Sequence, residues 1–138
     1  MLTDAAGVPL VVQTVAANDH DVTTLLPMVV ELPAVAGKPG RPKRKPKQLH
    51  ADKGFDSQPL RDLLRWLDIA PVIPARGSKQ SGLGKWRWFV ERTISWLHQF
   101  RRLKTRWDRK PEVHQAFLSL GAAVICYRRW LAECEFCP

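Results

Sequence analysis

A strand, a helix and a second strand in succession between Gln48 and Pro74 constrain the fold of this chain more than any other feature. The strands are predicted over residues 48–52 and 68–74, and the helix between them over residues 58–67. Because the connecting helix returns the chain across a sheet, the strands are expected to pair in parallel. The buried side of the helix is expected to consist of Leu60, Leu63, Leu64 and Leu67. The pattern therefore predicts an α/β fold.

The rest of the chain supplies a hairpin and three more helices. They are predicted over residues 2–15, 22–31, 85–103 and 111–130, with Asn18–Asp21 as capping residues before the first of these helices. A chain of 138 residues with 45% hydrophobic content has room for one core. We therefore predict a single domain over residues 1–131 and a C-terminal tail over residues 132–138.

Composition shifts sharply between Gly37 and Lys47. This segment holds six basic residues, three prolines and two glycines, so it is not expected to build a packed element. Its charge makes it a candidate DNA contact, although a solvated linker would have the same composition. The candidate DNA-binding residues in it are Lys38, Arg41, Lys43, Arg44 and Lys45.

The charge of the whole chain favours a polyanionic partner. The formal net charge is +9 and the pI is about 10.0, which give the surface a long-range attraction for nucleic acid. The N-terminus lacks the pattern of a secretory signal, and the longest apolar stretch, Ala116–Tyr127, is too short to span a bilayer. These features predict a cytoplasmic protein without a membrane partner.

The cysteines do not predict a disulfide framework. Cys126, Cys134 and Cys137 are an odd number in a chain of this length. Cys134 and Cys137 have metal-ligand spacing, but no second such pair completes a zinc site. A frayed tail that holds two thiols is the simpler interpretation.

Glu91 lies on a helix with one polar stripe. At 100° per residue, Arg87, Glu91, Ser95, His98 and Arg102 fall within about 80° of each other, and apolar side chains occupy most of the remaining circumference. The stripe favours a functional surface. A surface pairing of Glu91 with a neighbouring arginine, Arg87 or Arg92, fits the periodicity equally well.

Asp52 is expected at the carboxyl end of a strand, where α/β folds gather ligands. Gly54 allows the backbone to turn away from that carboxylate. Asp52 and Asp56 could instead serve as turn and capping residues, which is the ordinary role of aspartate before a helix, and we expect that role for Asp56.

The surroundings of both carboxylates resemble motifs of the IS5 group of bacterial insertion-sequence transposases. Asp52 lies in L-H-A-D-K-G-F-D, similar to the A-D-(K/R)-G-(Y/F)-D stretch around the second Asp of the D-D-E triad. Glu91 lies in W-F-V-E-R-T-I-S-W-L, similar to V-E-R-T-x-x-W-L. Arg87 also keeps the R-x-x-x-E part of a wider IS4-like pattern, whereas Gly84 and His98 replace its Tyr and Lys.

The resemblance implies a ribonuclease-H-like fold of the retroviral-integrase type, with a mixed sheet and flanking helices. It implies a DDE transposase that cleaves phosphodiesters and transfers strands at insertion-sequence ends. Asp52 and Glu91 would be catalytic and would bind Mg²⁺, or Mn²⁺ in its place, together with a first Asp. Lys53, Arg87, His98 and Arg102 are further candidate DNA contacts, although Lys53 could contact only solvent and His98 could equally fill a polar gap on the helix.

In the family the first Asp precedes the hairpin, and Asp4 matches a turn residue instead. The resemblance therefore implies an N-terminally truncated C-terminal part, inactive alone, that is either a relic or the second frame of a frameshifted element. Its expected partners are DNA and either a second copy or a separate N-terminal frame. The alternative from another class is a non-enzymatic basic nucleic-acid-binding module with structural carboxylates.

Overall fold

The computed structural model describes residues 1–15, 21–35, 40–77 and 84–134. The chain divides into two compact units, the first formed by Met1–Thr14 with Trp88–Pro138 and the second by Val15–Arg87. In chain order the elements are β1 (Leu2–Thr3), β2 (Pro9–Val11), α1 (Asp21–Val30), β3 (Gln48–His50), α2 (Gln58–Trp66), β4 (Ala70–Val72), α3 (Gly84–His98), α4 (Arg101–Lys104) and α5 (Pro111–Cys134). The predicted capping residues 18–20 lie outside the described part.

The second unit contains the strand, helix and strand that dominate the sequence. β3 and β4 pair in parallel, with Gln48 opposite Ala70 and His50 opposite Val72, which confirms the predicted crossover. The amides of Asp68 and Ile69 donate to the carbonyls of Arg65 and Leu64 as α2 ends. Asp68 has a φ of 59°, so it terminates the helix in a left-handed conformation instead of beginning the strand.

Apolar side chains from α1, β3 and α2, together with two isoleucines that flank β4, form the core of the second unit. α1 contributes Leu25, Met28 and Val29 to this core, while Leu63 on α2 remains 44% exposed, unlike its buried neighbour Leu64. The remaining core residues are Leu49, Leu60, Ile69 and Ile73. This packing fixes the strand end that carries Asp52.

Backbone hydrogen bonds join the described part of the basic segment to its neighbours in the second unit at two places, one of which is the Lys47 carbonyl, which accepts from the Ala70 amide at 3.0 Å. Val35 and Lys43 form an antiparallel bridge through two backbone hydrogen bonds of 2.8 and 3.0 Å. The side chains of residues 41–45 are all exposed, as a solvated segment requires. Lys38 lies outside the described residues.

The first unit contains the predicted hairpin. β1 and β2 are antiparallel, and the Asp4 carboxylate accepts hydrogen bonds of 2.8 and 2.7 Å from the amides of Ala6 and Val8. Asp4 is thus engaged as a turn residue. In the described part of the chain the strands form two two-stranded sheets, the antiparallel β1–β2 pair and the parallel β3–β4 pair.

The helix predicted over residues 85–103 is broken. α3 ends at His98, Phe100 has an extended conformation, and α4 begins at Arg101. A Cβ on Gly121 of α5 would lie 2.8 Å from Leu103, 3.3 Å from Leu97 and 3.5 Å from Phe100. The break allows all three side chains to pack against this glycine, a long-range contact that helical periodicity does not contain.

α5 belongs to the first unit and extends to Cys134, so residues 132–134 are helical. The side-chain amide of Gln115 joins α5 to the chain after β2, because its oxygen accepts from the Thr14 amide at 2.7 Å and its nitrogen donates to the Val12 carbonyl at 2.8 Å. Cys126 and Cys134 are free thiols, and residues 135–138 are not described. None of the described helices is long and apolar enough to cross a membrane.

Candidate active site

Asp52 lies two residues beyond the end of β3, at the carboxyl end of the parallel strand pair. It caps the 3₁₀ turn Lys53–Phe55, and its Oδ1 accepts a hydrogen bond of 2.7 Å from the Lys53 amide. The side chain is exposed. Within the described residues no hydrogen bond engages Oδ2. The turn therefore orients the carboxylate and leaves one oxygen available to a ligand.

Asp56, four residues further on, has a structural role. Its Oδ1 accepts hydrogen bonds of 3.0 and 2.7 Å from the Arg61 guanidinium, and its Oδ2 accepts one of 2.8 Å from the Arg76 amide. Arg61 also donates to the Ile73 carbonyl at 2.6 Å. Asp56 therefore joins the 3₁₀ turn, α2 and the segment after β4, whereas Ser57 occupies the cap position of α2. Sequence reasoning missed this network, since only the spacing of Asp56 and Arg61 hints at it.

Hydrogen bonding from Arg61, followed by that from the Arg76 amide, lowers the pKa of Asp56 below its ordinary value of 3.8. A carboxyl with a lowered pKa in the folded state stabilises the fold above its unfolded pKa. That contribution disappears as pH falls through the folded pKa. We expect wild type to have a higher thermal midpoint than Asp56→Asn at neutral pH, and the difference to close below pH 3.8. Thermal unfolding at a series of pH values measures this.

The matched control is Asp62→Asn, which removes an exposed pair with Arg65 at 2.9 Å. Because surface pairs contribute little, its midpoint should follow wild type throughout. A difference between wild type and Asp56→Asn that stayed constant to low pH would contradict the role of the ionised carboxylate.

Glu91 is exposed on α3, whereas the next two residues of its motif are engaged inside the first unit. The Thr93 side chain is fully buried, and its single hydroxyl proton is shared between the carbonyls of Gly7 and, at 2.9 Å, Phe89. Arg92 donates to the Ala6 carbonyl. Its guanidinium lies 4.3 Å from the Trp88 ring centroid and 4.9 Å from that of Trp96.

The hairpin turn approaches α3 closely where these two side chains meet it. Gly7 has a φ of 77°, and a Cβ there would lie 2.9 Å from the Arg92 guanidinium and 3.2 Å from the Phe89 carbonyl. Arg92 and Thr93 thus fix the rotation of α3 on the hairpin. The guanidinium of Arg92 contacts the hairpin turn and the Trp88 and Trp96 rings. The pairing of Arg92 with Glu91 that helical spacing allows is therefore not formed.

Three of the other predicted contact residues, Arg87, His98 and Arg102, are exposed, but they do not share one helix. Arg87 and His98 lie on α3, whereas the break places Arg102 on α4. The predicted stripe therefore loses Arg102, which pairs with Asp108 at 3.4 Å and lies 4.8 Å from the Phe117 ring centroid. Lys53 is half-buried at the Asp52 turn.

The carboxylates have the oxygen donors that a hard divalent cation prefers. Asp52 belongs to the second unit and Glu91 to the first, so their convergence on one ion stays a prediction. Among the described residues, no three His, Cys, Asp or Glu side chains form a group that could hold a metal ion. The donor chemistry fits a divalent metal, and a complete ligand set would need a further donor.

Comparison with known proteins gives one family. The profile described as the transposase DDE domain matches residues 1–127. A relative from Burkholderia cepacia, named "Putative transposase for insertion sequence element IS402", is 47% identical over 128 residues. That match covers 92% of this chain and 61% of the relative, so the chain spans about three-fifths of the relative's length. No solved structure matches the chain significantly.

Proposed function

The chain belongs to the transposase DDE domain family, and we propose that it acts in DNA transposition, with Asp52 and Glu91 as two metal ligands of the catalytic centre. The observation that carries this proposal is the environment of the two carboxylates. Asp52 keeps one oxygen open beside an exposed strand end, and Glu91 is exposed although its motif neighbours Arg92 and Thr93 are engaged in the fold. A purely structural carboxylate at Asp52 would be expected to be engaged through both oxygens, as the Asp56 carboxylate is.

In this proposal the reaction is metal-dependent phosphodiester cleavage and strand transfer at insertion-sequence ends. A bound Mg²⁺ or Mn²⁺ would activate the attacking oxygen and stabilise the leaving oxygen. Asp52 and Glu91 would hold the metal, and the Lys53 amide would keep the Asp52 carboxylate oriented through its hydrogen bond. The exposed basic side chains would attract the phosphate backbone without reading its sequence.

We also propose the finer assignment to the IS5 group and a ribonuclease-H-like arrangement in the complete enzyme. It rests on the motifs around Asp52 and Glu91, together with the parallel β3–β4 pair and its crossover helix. A third carboxylate outside this pair would complete the metal site. Because two carboxylates hold an ion loosely, the 138-residue polypeptide alone should cleave DNA poorly. Action on DNA in the bacterial cytoplasm at the nucleoid, with a homodimer or a separate N-terminal frame as partner, belongs to the same proposal.

A metal titration of thermal stability tests the ligand assignment. Metal that binds only the folded chain should raise its stability, by about 1.4 kcal/mol at ten times the dissociation constant. The rise should disappear in Asp52→Asn and Glu91→Gln and persist in Asp62→Asn, whose carboxylate is exposed on α2. Unchanged midpoints in wild type, with intact DNA affinity, would favour the non-enzymatic nucleic-acid-binding module.

A further inference from the structure

A cavity of about 390 Å³ lies in the first unit where α4 leads into α5. Arg101, Arg102 and Trp107 line it. Trp107 is 70% exposed, although a large aromatic ring gains more from burial than almost any other side chain. The cavity volume falls in the range of about 300–1,000 Å³ that is usual for small-ligand sites. An indole ring held open beside two guanidinium groups is a feature that the metal ligands do not explain.

The loop that presents Trp107 is built around Asp108. The Asp108 side chain is 15% exposed and pairs with Arg102 at 3.4 Å, and its backbone carbonyl accepts a hydrogen bond of 3.2 Å from Arg106. Arg102 also lies over the Phe117 ring of α5 at 4.8 Å. These contacts fix the loop on both sides of Trp107. The exposed ring is therefore held by an ordered loop.

The charge around the cavity is strongly positive. Residues 101–110 hold six basic side chains and one acidic one, and that acidic group, Asp108, faces Arg102. Arg101 has no ion-pair or hydrogen-bond partner within the described ranges. The cavity thus offers a flat aromatic surface and guanidinium donors, which suit a nucleobase and a phosphate respectively.

We infer that this cavity binds an unpaired nucleotide of single-stranded DNA, with the base stacked on Trp107 and its phosphates held by Arg101 and Arg102. The bases of a duplex are already stacked on their neighbours, so an indole ring gains a partner only from an unpaired base. Guanidinium groups bind the phosphates of single-stranded and of duplex DNA. The inference deepens the proposed role in DNA transposition, on which it rests for the identity of the polymer.

Fluorescence anisotropy with a labelled oligothymidylate of about 12 nucleotides tests the inference. Trp107→Ala should weaken binding about 5- to 100-fold, and Trp107→Phe should recover most of the loss, because either aromatic ring offers a stacking face. Binding to a duplex of the same length should change less than about 2-fold, since phosphate contacts dominate there. Trp66→Ala, which truncates a ring that is 80% exposed on α2, should leave both affinities unchanged.

An oligonucleotide of the same length with abasic sites isolates the stacking contact. Wild type should bind it more weakly than oligothymidylate, and Trp107→Ala should bind both equally. The inference would be overturned if Trp107→Ala lost the same factor of affinity for oligothymidylate and for abasic DNA, or if it lost no affinity for either. All binding is measured in EDTA, so failure of the metal site appears only in the metal titration and failure of the nucleotide pocket only in this assay.

Discussion

In a polypeptide with a complete set of metal ligands, Asp52→Asn and Glu91→Gln should each reduce cleavage of insertion-sequence-end DNA by at least about 100-fold. Mutation of residues that merely hydrogen-bond to metal ligands already costs about 10- to 100-fold in activity or metal affinity, and loss of a ligand should cost more. Each substitution keeps the size of the side chain and removes the negative charge that would hold a hard cation in the proposed site. Ligands of one metal act as a unit, so the double substitution should cost little more than either single one. Full additivity of the two losses would indicate independent roles.

A chimera that joins this chain to the part of the Burkholderia cepacia relative that it does not cover is the suitable enzyme for this measurement. Single-turnover cleavage with Mg²⁺ or Mn²⁺ reports the chemical step. Asp62→Asn and Glu112→Gln remove exposed carboxylates on α2 and α5 and should leave the rate unchanged. The 138-residue chain without the additional segment should cleave poorly. Efficient cleavage by this chain alone, lost in Asp52→Asn, would contradict the need for a third carboxylate.

The sequence predicted the elements of the fold better than their ends. Two apolar strands around a helix with four leucines specify the β3–β4 crossover, because burial on one side and a short connection leave few alternatives. The ends of the helices and strands depended on contacts between residues that lie far apart in sequence. α3 ends at His98, and Leu97, Phe100 and Leu103 on both sides of the break meet around Gly121 of α5, a contact that no local pattern encodes.

In the candidate site, too, some features follow from local sequence and others depend on contacts with distant residues. Periodicity could place Glu91 on a polar stripe, because helical spacing alone determines which side chains share a face, but only the family motif favoured a functional role for it. The roles of Arg92 and Thr93 could not be predicted from the sequence, since both side chains contact the hairpin turn more than 80 residues earlier in the chain. A motif of four consecutive residues thus combines an exposed carboxylate with two side chains that hold the helix in place. Local sequence shows the motif but not which of its side chains are exposed and which hold the helix in place.

Leu64→Ala should have the largest effect on stability, a loss of about 2–5 kcal/mol, because truncation of a buried leucine removes its apolar burial and leaves a cavity. Leu64 is fully buried in the second unit, on the helix that connects β3 to β4. Amide hydrogen exchange can follow this locally at Ala51 and Ala70. Their amides donate to the carbonyls of Val72 and Lys47 at 3.3 and 3.0 Å, so they report opening of the β3–β4 pair.

Leu63→Ala is the matched control, since it makes the same chemical change one residue away on α2, where the side chain is 44% exposed. It should cost about 1 kcal/mol or less. Asp52→Asn should leave exchange at Ala51 and Ala70 unchanged, because the Asp52 side chain is exposed and its hydrogen bond is made to the adjacent residue. A loss of protection in Asp52→Asn as large as in Leu64→Ala would mean that Asp52 acts through the fold, and the metal-ligand assignment would then fail.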